Sequence, residues 1–231
     1  MIKNRILFRS RYVVSLLIVV LLMAATIIPE NPLYNLNWAL LSTLIVLMGI
    51  LTFFWHFEKK QVNSKTIALI ATMSSLAAVS RIAFGAIASL QPATFIVMIT
   101  GYVFGAQIGF MVGAIAALVS NFFLGQGPWT PWQMFCWGMC GVFASILSIK
   151  QEEFRLASFT ALAGLCGFFY GWVINIWHWA AFMYPLNAKT FLAVYASSIV
   201  FDGIHAAGNI VFSVLFAGTF YQILRRFKKY I

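Results

Sequence analysis

The chain has 231 residues, of which 62% are hydrophobic and only 9% are charged, and its mean hydropathy is +0.92. Soluble globular domains are far less apolar, so the composition indicates an integral membrane protein. The apolar runs are continuous and do not alternate with polar residues, which predicts helices and argues against a membrane β-barrel. The net charge of +10 could suggest a nucleic-acid partner, but the basic residues flank the apolar runs, so we expect none.

Eight apolar segments follow one another along the chain, and we predict that each forms a membrane helix. The fourth is short for a span and contains two glycines, whereas the last has about 35 residues and exceeds the roughly 30 Å hydrocarbon core. The first follows a basic N-terminus without a clear cleavage site, which favours a retained helix over a signal peptide. The segments are 12–28, 37–57, 66–80, 93–105, 107–124, 132–149, 156–182 and 190–224.

The basic residues predict the orientation of these helices. If all eight segments cross the bilayer, thirteen of the fifteen Lys and Arg residues fall on one side, and only Arg81 and Lys189 do not. That side is expected to be the cytoplasm, with both termini inside. The charged connector EKKQVNSKT separates an N-terminal helix pair, 1–63, from a six-helix unit, 64–231. We therefore predict an all-α integral membrane protein with a six-helix bundle preceded by two extra transmembrane helices.

The cysteines and the missing motifs limit the chemistry of the chain. Cys136, Cys140 and Cys166 lie inside apolar runs, which indicates packed thiols and no disulfide framework. We expect no metal ion and no bound cofactor. The sequence contains no Walker A, HExxH or GxSxG motif, so we predict that the chain is not an enzyme and does not itself hydrolyse ATP by the Walker route.

Several unusual polar residues are predicted to lie at one depth, just inside the outer end of their helices. Asp202, His205 and Asn209 share one helical stripe, and Asp202 is the only acid within an apolar run. An ionisable group in the membrane needs a partner or a cavity. The stripe therefore lines a ligand site, or Asp202 locks helices together by pairing with His205 or Arg81, and the two interpretations are compatible.

Aromatic residues occur at the same level. Trp172, Asn175 and His178 lie on a predicted helix whose rings form either an interfacial belt or the wall of a pocket for a flat ligand. The stretch GQGPWTPWQ, 125–133, predicts a short, stiff outer loop that presents its rings over the bundle. The connector 81–92 is either a lid or a plain link. The candidate substrate-binding residues are Arg81, Gln126, Trp129, Trp132, Trp172, Asn175, His178, Asp202, His205 and Asn209.

From about residue 64 onward, the sequence resembles the S component, the substrate-binding subunit, of energy-coupling factor (ECF) vitamin transporters. The resemblance rests on the order and spacing of IALIATMSSLAAVSRIAFGAIASLQP, TGYVFGAQIGFMVGAIAALVSNFFLGQGPWTPWQMFCWGMCG and FDGIHAAGNIVF. It implies a prokaryotic plasma-membrane subunit that binds a vitamin at its outer face and works with a transmembrane coupling subunit and two ATPase subunits. The loop 125–133 looks most like that of cobalamin-type S components, while riboflavin, queuosine-like bases and niacin stay open.

The resemblance also implies that the first helix of the six-helix unit docks on the coupling subunit through small residues four apart. The matching candidates are Ala71 with Ser75 and Ser74 with Ala78, although ordinary packing within the bundle would also need small residues. The competing function is a stand-alone proton-coupled permease or channel that uses Asp202 and His205 as a relay. A membrane-embedded enzyme and a ligand-free assembly factor are further alternatives.

Overall fold

The computed structural model describes residues 37–59, 62–87, 89–149 and 153–230, which form helices and no strand. Six of these helices are long and apolar enough to cross a membrane, and one more is short and apolar. The all-helical membrane fold is thus confirmed for the described residues. The helices are α1 (Trp38–Glu58), α2 (Ser64–Ala83), α3 (Ala93–Phe104), α4 (Ala106–Leu124), α5 (Thr130–Ile149), α6 (Leu156–Phe182) and α7 (Ala188–Lys228).

Seven of the eight predicted segments correspond to these helices. The first segment, 12–28, lies outside the described residues, so the first of the two extra N-terminal helices stays a prediction, as does the orientation of the termini. All three cysteines are buried and unpaired in the bundle, as their apolar surroundings indicated.

Short polar residues and glycines set the helix ends. The side chains of Asn37, Asn63 and Asn187 each accept a hydrogen bond from a backbone N–H in the first turn of α1, α2 and α7. Gly105, with φ +101°, is the only residue between α3 and α4 and adopts a conformation that a side chain would strain. Gly125, with φ +110°, ends α4 in the same way.

The short helix α3 is the centre of the bundle, since its residues from Ala93 to Val103 are all buried. Its glycine makes this possible: a Cβ atom on Gly101 would overlap the carbonyl oxygen of Gly141 on α5, and Gly109 of α4 lies against both backbones. Gly101, one of the two glycines that weakened this run as a sequence pattern, therefore allows three helices to pack closely, together with Gly109 and Gly141.

Two lysines define one end of the bundle. Lys65 Nζ donates to the carbonyl oxygen of Tyr230 at 3.0 Å, and Lys228 Nζ donates to that of Val103 at 2.6 Å. The start of α2 and the ends of α3 and α7 therefore lie together, at what we call the Lys65 end. The opposite end, where α2 finishes and α3 begins, is the Arg81 end.

Helix α1 packs on the six-helix unit, against α4, α5 and α6. The ring of Phe53 stacks on that of Phe110 with centroids 3.8 Å apart, and the indole N–H of Trp132 donates to Thr43 Oγ1 at 3.1 Å. The predicted division between 63 and 64 coincides with the start of α2. Its meaning as a domain boundary stays a prediction.

Candidate substrate-binding site

Arg81 occupies the last turn of α2, and its side chain is buried, with 7% exposed. Nη1 donates to Ser120 Oγ at 2.5 Å and to Asn121 Oδ1 at 2.6 Å, both on α4. The guanidinium lies over the ring of Trp137 on α5, 4.7 Å from its centroid. These described partners are two neutral oxygens and an aromatic face, and none is a carboxylate.

The loop 125–133 is tied to the same place. Asn121 Nδ2 donates to Thr130 Oγ1 at 2.9 Å and to Gln133 Oε1 at 2.7 Å. The hydroxyl of Thr130 in turn donates to Gln126 Oε1 at 2.9 Å, and Gln126 Nε2 donates to the carbonyl oxygen of Leu118 at 3.0 Å. The stiffness predicted for this loop thus has a physical basis, since its polar side chains bind it to the end of α4.

A buried threonine joins α3 to two neighbouring helices. Thr94 Oγ1 accepts a hydrogen bond from the indole N–H of Trp137 at 2.9 Å and lies 2.9 Å from His205 Nε2. A hydroxyl has one proton, so Thr94 can donate it to His205 while accepting from Trp137. The ring of Tyr170 lies 4.7 Å from Trp137 and 5.1 Å from His205, measured between centroids, and its hydroxyl lies beside the side chain of Gln133.

These contacts make one connected group of side chains at the Arg81 end, to which each helix from α2 to α7 contributes. We call it the Arg81 cluster. Its rings supply flat apolar surface, and its amides, hydroxyls and guanidinium supply directed donors and acceptors, which is the composition of a small-molecule site. Its members are Arg81, Thr94, Ser120, Asn121, Gln133, Trp137, Tyr170 and His205.

The stripe of Asp202, His205 and Asn209 does not act as one unit. Ser198 Oγ donates to Asp202 Oδ2 at 3.0 Å and accepts from Asn175 Nδ2 at 2.6 Å, so this group joins α6 to α7. Asn209 Nδ2 donates to the backbone of α6, and His205 contacts Thr94. Of the two interpretations of Asp202, the lock with His205 or Arg81 is not seen among the described residues, where its carboxylate accepts a hydrogen bond from Ser198.

The predicted aromatic wall is also divided. Trp132 is buried toward α1, and the ring of Trp129 packs edge-on against Trp177, with centroids 6.1 Å apart. Trp172 is 54% exposed, and His178 lies beside Phe182, 5.3 Å between ring centroids. Of the ten candidates, the Arg81 cluster includes Arg81 and His205, and Gln126 is attached to it through Thr130. The roles of the other candidates as substrate contacts stay predictions.

Sequence reasoning missed most of the cluster. Asn121 and Gln133 carried a usable signal, since each is a polar amide at the border of an apolar run and the loop 125–133. Trp137 follows Gln133 by one helical turn and could have been inferred with it. Thr94 and Tyr170 gave no signal, because a threonine or tyrosine in an apolar run is ordinary.

The candidate docking residues fall on two faces of α2. Ala71 and Ser75 are exposed, whereas Ser74 and Ala78 are each 1% exposed and face the interior of the bundle. Packing within the bundle therefore accounts for Ser74 and Ala78. Of these four candidates, only Ala71 and Ser75 lie on the surface, where a second protein could approach their small side chains.

Residues 60–226, or 167 of the 231 residues, match the model of the family described as ECF-type riboflavin transporter, S component. No curated protein and no solved structure matches the chain at a significant level. The matching model is of the riboflavin type, so the cobalamin-type assignment suggested by the loop 125–133 is not supported.

The family match also explains why the sequence contains no Walker A, HExxH or GxSxG motif. An S component is the substrate-binding subunit of a transporter and not an enzyme, and it associates with transmembrane and ATPase subunits. The match and the apolar helices together indicate a multi-pass membrane protein. The chain belongs to this family and is an S component of an ECF-type transporter.

Proposed function

We propose that this chain is the substrate-specific subunit of an ECF-type importer in a prokaryotic plasma membrane, and that it binds a planar heteroaromatic vitamin of the riboflavin kind. The observation that carries this proposal is the Arg81 cluster, in which polar and aromatic side chains from six helices meet at one end of the bundle. Such a convergence suits ligand binding, because a small-molecule site combines aromatic surface with a few polar groups that point to one place.

The chemistry of the cluster fits a flat ring with heteroatoms at its edge. Trp137, Tyr170 and His205 offer faces and edges on which such a ring can stack at a low entropic cost. The guanidinium of Arg81 has five N–H donors, and Gln133 can both donate and accept. An isoalloxazine ring, with its carbonyl oxygens and ring nitrogens, is a ligand of this kind, and the family match supports it over a corrin.

Transport requires partners. By the distribution of its basic residues the Arg81 end faces outward, so the vitamin enters there and is carried to the Lys65 end. The chain works with the coupling subunit and two ATPase subunits, and the exposed Ala71 and Ser75 of α2 form the docking face. Helix α2 packs mainly on α3 and α4, which leaves this side of it accessible among the described residues.

The permease alternative is less well supported. A relay between Asp202 and His205 needs the two side chains to exchange a proton, but each is hydrogen-bonded to a different residue, Ser198 or Thr94. Uptake by the chain alone in liposomes, driven by a proton gradient, would restore that alternative.

The test of binding uses the full chain in detergent, titrated with riboflavin and followed by the quenching of flavin fluorescence, with cobalamin as the competing ligand. We expect saturable one-to-one binding of riboflavin and weaker binding in Tyr170→Phe, which removes only a hydroxyl from the cluster. Tyr195→Phe is the matched control, because its hydroxyl donates to the carbonyl oxygen of Trp172 outside the cluster. Tight binding of cobalamin alone would reject the riboflavin kind, and unchanged binding in Tyr170→Phe would reject the site.

A further inference from the structure

Among the described residues, the charge of Arg81 has no opposite charge beside it. The chain contains five acidic residues against fifteen basic ones, and the only acid inside an apolar segment, Asp202, is held by Ser198 on α7. The guanidinium instead contacts Ser120, Asn121 and the ring of Trp137. Its Nε atom is buried without a hydrogen-bond partner.

A buried charge in a membrane bundle is costly unless it is paired. The neutral oxygens, the aromatic face and the C-terminal end of the α2 dipole each stabilise the guanidinium, but none removes its charge. A charged side chain that is buried in a bundle without an opposite charge points to a ligand that supplies that opposite charge. What the Arg81 cluster lacks is an anion.

We infer that the substrate is an acid: a planar heteroaromatic compound with an ionised group, such as a carboxylate, that pairs with Arg81 of the otherwise uncharged Arg81 cluster. This inference rests on the proposed function and narrows its substrate class. A guanidinium binds a carboxylate through two parallel N–H donors, so it gives orientation as well as charge. The rings of Trp137, Tyr170 and His205 hold the remainder of the ligand. A neutral vitamin such as riboflavin leaves the guanidinium unpaired and binds more weakly.

The experiment compares acids with their uncharged counterparts on the detergent-purified full chain. The probe pairs are pterin-6-carboxylate with pterin, and nicotinate with nicotinamide, with riboflavin as the neutral flavin, and affinities are measured by calorimetry. We expect the acid of at least one pair to bind about tenfold or more tightly than its neutral partner and than riboflavin. In Arg81→Gln, which removes the charge and keeps a polar side chain, that preference should disappear.

Arg225→Gln is the matched control. It removes the same charge from a residue that also lies over an aromatic ring, Tyr221 at 5.8 Å, but near the Lys65 end. The Arg225→Gln variant should keep the preference for the acid. If this variant also lost the preference, the cause would be a long-range effect of net charge, and the inference would be overturned. If Arg81→Gln does not fold, Arg81→Lys keeps the charge and must keep the preference.

The remaining outcomes separate the two proposals. Equal binding of acid and neutral partner, tighter binding of riboflavin, or a preference that survives Arg81→Gln overturns the acidic substrate and leaves the proposed function standing. If neither riboflavin nor any probe binds, the proposed function fails and this inference fails with it.

Discussion

The Cα atom of Gly171 on α6 packs against the carboxylate of Asp202 on α7, so closely that a methyl group on Gly171 would overlap Oδ1. One turn away, a Cβ atom on Gly167 would lie 2.5 Å from the backbone nitrogen of Ala206. The two longest helices of the bundle are therefore in near backbone contact where the stripe of Asp202 and His205 begins. The position of the carboxylate depends on this contact.

Gly171→Ala should destabilise the protein by about 1–3 kcal/mol, because the added methyl group has to push Asp202 or the helix backbone aside. Gly203→Ala is its matched control, since a Cβ atom there meets nothing within 4 Å. That substitution should be neutral or stabilising by up to about 1 kcal/mol, because alanine favours the helix. Thermal unfolding in detergent measures both, and equal melting temperatures would contradict the close contact.

Thr94→Val should cost about 1–3 kcal/mol and weaken ligand binding, because it leaves the indole N–H of Trp137 and the ring nitrogen of His205 without their shared partner. Thr100→Val is the control on the same helix. Thr100 is equally buried, but its hydroxyl donates only to the backbone carbonyl of Ile96 at 2.7 Å. We expect little change in melting temperature or affinity there, and a comparable loss in both variants would argue that burial alone is responsible.

Thr43→Val tests whether α1 is joined to the substrate-binding unit. Its hydroxyl accepts from Trp132 and donates to the carbonyl oxygen of Ala39, whereas the hydroxyl of Thr52 on the same helix donates only to its own helix at Met48. Thr43→Val should therefore lower stability by about 1 kcal/mol and Thr52→Val by much less. Differential scanning calorimetry of the two variants makes the comparison, and a larger effect for Thr52 would show that the Trp132 contact adds nothing.

The docking face can be tested without disturbing the bundle. Leucine at both Ala71 and Ser75 should block co-purification with the coupling subunit and leave ligand affinity unchanged, because both residues are exposed. Helix α7 offers a matched pair, Ala193 and Ser197, with the same spacing and exposure. Leucine at both of those positions should leave the complex intact. Complexes that survive the α2 change would place the docking face elsewhere.

Hydropathy predicted the helices well, because long apolar runs leave few alternatives in a bilayer. The largest error is at the end of the chain, where the run 190–224 becomes Ala188–Lys228. Arg225, Arg226 and Lys228 are not apolar, but cations stabilise the C-terminal turn of a helix, so the helix continues beyond the membrane signal.

The candidate site was harder to predict than the helices. Counting residues from the basic end predicts Arg81 and His205 at one level, since helical rise is constant, and both lie in the Arg81 cluster. It could not say which way each side chain turns about its helix. Trp132 turns to α1 and Asp202 to Ser198, and in helices that are apolar on nearly every side the sequence pattern does not specify the face.

The length of α7 has a mechanical consequence. Its 41 residues span about 60 Å, and its exposed apolar residues run from Leu192 to Phe227, about 52 Å, whereas the hydrocarbon core is roughly 30 Å thick. This face fits one bilayer only if the helix inclines strongly, unless another protein surface covers part of it. Because Lys228 joins α7 to α3, the inclination of the bundle follows that of the helix. The length of the lipid chains therefore affects the inclination of the bundle, and with it the position of the Arg81 end relative to the membrane surface.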